Sequence, residues 1–201
     1  MCIRDRLISD CISDAKSAIR WLRQQSDSLG IDPNKIVGAG GSSGGHLAIS
    51  TGILSGFDDV LDDVSISAVP NAYVLFNPPL VLSTTEEVGF SEHALNQLKT
   101  RSGVASITIS PYHHIKKGLG PSIIFHGEQD LKWFVLFSQH FAKMMRQNDN
   151  QCELVIYKGE PHDFFNYGRN NNGPFIDTVK RMDDFLVKLG YLPAVPDVYT
   201  Y

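Results

Sequence analysis

Residues 38–46 read Gly-Ala-Gly-Gly-Ser-Ser-Gly-Gly-His, directly after the run Lys35-Ile36-Val37. The pattern Gly-x-Ser-x-Gly fits this stretch twice, once centred on Ser42 and once on Ser43. Such a pattern can lift a serine hydroxyl onto a sharp strand-to-helix turn, where glycines two residues to either side let strand and helix approach. The amide after the nucleophile and the start of the helix then face the developing oxyanion. A serine attacks only with a base beside it, and a base needs an orienting partner. Asp130 in "FHGEQD" and His162 in "KGEPHDFF" are the candidates: the histidine takes the serine proton and the aspartate fixes its tautomer. Taken alone, the glycine-serine stretch also fits a flexible loop or a phosphate-binding turn. The second is disfavoured because the lysine of a P-loop does not follow. By pattern, the two serines tie.

These residues need elements to bring them together. "SDAKSAIRWLRQQSDSLG" (13–30) has apolar residues at helical spacing, with Gly30 as its stop. Strands are predicted at 35–40, 71–77, 121–127 and 151–158. Helices are predicted from Gly44 to Leu54, at 134–148 and at 173–190, with shorter ones at 91–100 and 110–117. The segment 55–70 reads as an acidic connection. Buried strands of five to seven residues alternating with helices imply an α/β fold, a parallel sheet with helices on both faces. Reactive groups in such sheets collect at the carboxyl ends of the strands, where Ser42 or Ser43, Asp130 and His162 all fall.

The order Ser, Asp, His is that of α/β-hydrolases. The stretches "DAKSAIRWLRQQSDSLGIDPNKIVGAGGSSGGHLA", "PSIIFHGEQD" and "KGEPHDFFNYGR" resemble the α/β-hydrolase esterases of the acetyl-xylan-esterase, feruloyl-esterase and lipase-like group, over about residues 13–190. In a bacterial subgroup the elbow runs Gly-Gly-Ser-Ala-Gly-Gly-His-Leu-Ala. The resemblance therefore implies Ser42 as nucleophile, Ser43 as the residue whose amide receives the oxyanion, Asp130 as acid and His162 as base. It implies hydrolysis of a small-molecule or polysaccharide ester through an acyl-enzyme, often acetyl or feruloyl in the family, with no cofactor and no metal. Four departures stand out. Ser43 replaces the usual alanine of the elbow, and its amide still serves the oxyanion. Asp163 replaces the usual glycine after the histidine. Leu131-Lys132-Trp133-Phe134 replaces a Val-Pro after the acid, making Trp133 and Phe134 candidates for the substrate-pocket wall. The family's first strands, and the loop that donates a second oxyanion amide, have no counterpart before residue 13. Loss of one such donor costs about 10²–10³-fold in rate. The rivals are a prolyl-oligopeptidase-like serine peptidase and a catalytically incompetent fragment.

The remaining candidates read as structural. His46 is expected to pack under the elbow and His126 to orient the acid loop. The pair His113-His114 lacks a third metal ligand at suitable spacing, and His93 and His140 read as surface residues. Asp58, Asp59, Asp62 and Asp63 lack EF-hand spacing and read as a solvated loop. Asn166 to Arg169 are expected to close the loop after His162. The 201 residues are 42% hydrophobic and 20% charged with a formal charge of −4, one domain's worth of ordinary composition. The acidic balance and the short apolar runs argue against nucleic-acid and membrane partners. Cys2, Cys11 and Cys152 lack metal-type spacing and read as free thiols. The opening "MCIRDR" reads as translated adapter sequence, so residues 1–6 are taken as an artefactual start and 7–201 as a single domain. Localisation stays open.

Overall fold

The computed structural model describes residues 6–194. The opening residues 1–5, which carry most of the suspected artefact, lie outside the described residues. Helix α1 (Ile8–Gln24) begins earlier than its periodicity suggests, because the Asp10 carboxylate accepts the Leu7 N–H at 3.1 Å and Asp14 pairs with Arg6. A single turn, α2 (Ser26–Leu29), follows and stops at Gly30, which adopts φ +64°. The other elements are β1 (Val37–Gly41), α3 (Ser43–Ile53), β2 (Ala72–Phe76), α4 (Glu92–Ser102), β3 (Ser122–Gly127), α5 (Lys132–Gln147), β4 (Cys152–Tyr157) and α6 (Gly173–Lys188). The helix expected at 110–117 is replaced by two short 3₁₀ segments, Ser106–Ile109 and Pro111–His114, because Pro111 lacks the N–H that would continue a helix.

All three strand pairings are parallel, and the order in space is β1-β2-β3-β4. A sheet that steps in one direction with right-handed crossovers puts every connecting helix on the same face. That face is packed by α3 and α5, with α1 lying against α3. Its core holds Ile12, Ile49, Ile53, Leu75, Ile124 and Phe141. On the opposite face, Phe185 of α6 covers Ala72, Val74, Ile123 and Phe125. The period-2 alternation of β2, with Tyr73 and Leu75 on one side and Ala72 and Val74 on the other, feeds the two cores separately. Strand β1 lies at the edge of the sheet. Among the described residues, no helix is long and apolar enough to cross a membrane.

The acidic segment is solvent-exposed over most of its length, as expected, but Asp58 and Asp62 clasp it to α1. Arg20 reaches from α1 to Asp58 at 2.5 Å and Asp62 at 2.7 Å, and its Nε donates to the Ile66 carbonyl at 3.0 Å. Lys16 donates to the Gly56 carbonyl and pairs with Asp58 at 3.4 Å. Only Asp59 and Asp63 act locally, each accepting a backbone N–H two residues on. Both cations are buried.

Candidate active site

Strand β1 runs one residue further into the glycines than predicted, and α3 starts at Ser43. Ser42 is thus the single residue between strand and helix. It takes φ +54° and ψ −123°, a sparsely populated conformation for a residue with a side chain, while its N–H donates to the Phe76 carbonyl at 2.7 Å. Such strain costs about 1–3 kcal/mol and persists only where surrounding contacts enforce it. The glycines explain how. A Cβ on Gly40 would lie 2.4 Å from the Gly44 carbonyl carbon, and one on Gly45 would lie 2.9 Å from the Gly40 oxygen. Gly44 itself faces open space, so the close approach demands glycine at 40 and 45, not at 40 and 44 as the pattern implies. Ser43 is the first residue of α3, and the leading N–H groups of a helix have no intrahelical acceptor.

Asp130 and His162 meet across the ends of β3 and β4. His162 Nδ1 donates to Asp130 Oδ2 at 2.7 Å. The carboxylate side chain is 4% exposed and the imidazole 41%. Because a carboxylate only accepts, Nδ1 carries a proton, and in the neutral ring the lone pair is on Nε2. Asp130 Oδ1 accepts the Leu131 N–H at 2.7 Å, and Oδ2 also accepts from His126 Nε2 at 2.9 Å. Asp163, the charged residue beside His162, is paired with Arg169, and Asn166 Nδ2 donates to the Asp163 carbonyl at 3.1 Å. The stretch 166–169 therefore closes the loop.

Ser42, Ser43 and His162 line one cavity of about 910 Å³. Its walls are mainly apolar, with Leu47, Val81, Leu82, Phe90 and Phe134 among them. Trp133 is corrected: it is 62% exposed and outside this lining. The reason is helical phase. The buried face of α5 runs through Phe137, Ser138, Phe141, Ala142 and Met145, and Trp133 falls to its side while Phe134 falls toward it.

The other histidines are occupied. His46 is buried, its Nε2 2.8 Å from the Ile109 carbonyl, and burial holds its basicity below the ordinary value. His113 bridges Ser110 and the Thr84 carbonyl, and His114 reaches the Ile107 carbonyl. His140 pairs with Glu87 at 2.8 Å and is mostly buried, unlike the surface residue expected. Among the described residues, no group of three or more His, Cys, Asp or Glu is placed to hold a metal ion.

One contributor escaped the sequence reading. Asn77, at the end of β2, has φ +44° and is buried. Its Nδ2 donates to the His162 carbonyl, and its Oδ1 accepts the Gly127 N–H at 2.9 Å. It ties the loops of β3 and β4 to the strand between them and the serine. The signal available was a polar residue ending an otherwise apolar strand before Pro78-Pro79.

The BD-FAE family profile matches residues 2–145. The chain is 26% identical over 167 residues to a probable carboxylic ester hydrolase, LipM, of Mycobacterium tuberculosis, covering 76% of this chain and 37% of that protein. It thus spans little more than a third of the curated relative's length. Among solved structures, Thermogutta terrifontis esterase 2 phosphoramylated by tabun is 42% identical with a TM-score of 0.87, over 95% of this chain and 69% of that one. The butyrate-bound form of the same thermophilic esterase gives 41% identity and a TM-score of 0.88, over 96% of this chain and 70% of that one. The sheet and helices described above are those of the α/β-hydrolase fold.

Proposed function

The chain belongs to the BD-FAE family, and on that footing we propose that it hydrolyses carboxylic esters by covalent catalysis from Ser42. The observation that carries this reading is the Asp130–His162 hydrogen bond, with His162 and the strained Ser42 on one cavity wall. In the proposed sequence, Ser42 Oγ attacks the ester carbonyl carbon while His162 Nε2 takes its proton. The oxyanion forms against the Ser43 N–H at the start of α3, where the helix dipole favours negative charge. Collapse expels the alcohol, which receives the proton from His162. Water then attacks the acyl-enzyme with His162 again as base, and the acid leaves. Asp130 keeps the proton on Nδ1 and stabilises the imidazolium.

The apolar cavity walls favour an ester with an aliphatic or aromatic acyl group over an acetyl group carried on a hydrated polysaccharide chain. The test is covalent labelling by a fluorophosphonate together with hydrolysis of p-nitrophenyl butyrate and of acetylated xylan. Ser42→Ala abolishes labelling and turnover, whereas Ser43→Ala retains both because its contribution is a backbone N–H. Labelling that survives Ser42→Ala and is lost in Ser43→Ala sinks the assignment. Faster turnover of acetylated xylan than of the butyrate ester overturns the substrate preference.

A further inference from the structure

Asp130 Oδ2 serves two imidazoles, His162 at 2.7 Å and His126 at 2.9 Å. His126 and Ser138 are fully buried, and His126 Nδ1 lies 2.8 Å from Ser138 Oγ. The hydrogen-bond types follow from the acceptor. A carboxylate cannot donate, so His126 Nε2 carries its proton, His126 Nδ1 is a lone pair, and the Ser138 hydroxyl donates to it. The chain Ser138→His126→Asp130 is thus set from the α5 side before His162 is reached.

We propose that His126 is a positioning residue for His162: its Nε2–H fills one lone pair of Asp130 Oδ2, leaving the other aimed at His162 Nδ1 and restraining how strongly Asp130 holds His162 in the protonated form. This rests on the reading of His162 as the base. A carboxylate already bound by a second donor attracts an imidazolium less strongly, so removing His126 is expected to strengthen the hold of Asp130 on His162. Burial keeps His126 itself less basic than an ordinary imidazole, so the donor stays neutral. Asp130 and His162 are the ionisable groups acting on His126. Around the cavity that His162 lines lie Arg6, Cys11, His46 and Arg101, and the neighbouring Asp163 is neutralised by Arg169. Nearby Glu128 and Glu160 are engaged by the Gly159 N–H and by Asn170.

The test compares His126→Leu, His126→Gln and Ser138→Ala. Glutamine can return an N–H close to the Nε2 position; leucine cannot. The first readout needs no catalysis. Imidazole ¹⁵N NMR of the unaltered chain shows His126 neutral and protonated on Nε2 while His162 titrates, and the His162 titration midpoint moves to higher pH in His126→Leu and returns in His126→Gln. The second readout is hydrolysis of p-nitrophenyl butyrate. His126→Leu lowers kcat by about 10–100-fold, by analogy with losing the hydrogen-bond partner of a metal-ligating histidine, with KM little changed and the acid limb of the pH profile moved upward. Glutamine restores most of kcat. Ser138→Ala, the milder change, removes the donor to His126 Nδ1 while Asp130 keeps the Nε2–H tautomer. A His126 protonated on Nδ1, or a His162 midpoint unmoved by leucine, overturns the proposal whether or not the chain turns over. Absence of ester hydrolysis with the NMR behaviour intact overturns the esterase reading alone.

Discussion

A single polar side chain at a strand end ties the His162 backbone to the neighbouring strand. Asn77 holds the His162 carbonyl and the Gly127 N–H with its two amide atoms, from a positive-φ position that asparagine tolerates better than most residues. Asn77→Ala leaves two buried backbone groups without these partners, at about 1–3 kcal/mol each if water does not reach them. The expected outcome is a lower Tm and a fall in kcat exceeding any change in KM. Asn77→Asp is worse for activity, since a carboxylate oxygen then opposes the His162 carbonyl. An Asn77→Asp enzyme with unaltered kcat would show that this tie does not position the histidine.

The anchoring of α1 by charge is a property of elements. Arg20 and Lys16 bind segment 55–70 through Asp58 and Asp62, and α1 in turn lies against α3, the helix that begins at Ser43. Partial burial pushes the Asp58 carboxyl up, but hydrogen bonding and charge from Arg20 and Lys16 more than offset this, so it sits below the ordinary carboxylate range. A carboxyl held low in the folded state contributes stability that is complete above its unfolded value, about pH 4, and is lost as pH falls through the lower folded one. Protection from hydrogen exchange, taken against the intrinsic rate at each pH, is therefore expected to fall in α1 and 55–70 on acidification below about pH 4, ahead of the strands. Arg20→Met reproduces that loosening at neutral pH. Equal protection of α1 in both proteins would contradict the clasp.

At the scale of the molecule, one sheet separates two cores of unequal cover. Helices α1, α3 and α5 share one face, while Phe185 of α6 fills the other against Ala72, Val74, Ile123 and Phe125. Phe185→Ala is expected to cost about 3–5 kcal/mol, the range for emptying a buried aromatic site. Because the same strands carry both cores, urea unfolding followed by far-UV circular dichroism and by strand-amide exchange is expected to shift together. Loss of α6 signal with the strands still protected would mean that the second face folds as a separate unit.

How much of this was legible beforehand depended on how locally each feature is encoded. Apolar runs, helical spacing and glycine stops mark β1 to β4 and the long helices within a few residues, because the signals lie inside each element. The order of Ser42, Asp130 and His162 at strand ends is likewise readable, since a parallel sheet gathers those ends. Pattern left the two serines tied and the resemblance favoured Ser42; tertiary structure puts Ser42 in the strained turn, because β1 and α3 leave one residue between them and the crowding of Gly40 against Gly44 and Gly45 sets that register. Tertiary structure alone turned Trp133 to solvent, joined Asp58 and Asp62 to α1, and put two histidines on one carboxylate oxygen. Asn77 and His162 lie 85 residues apart in the chain. No window of sequence holds such a pair, and only packing the strands side by side brings their atoms within hydrogen-bond reach.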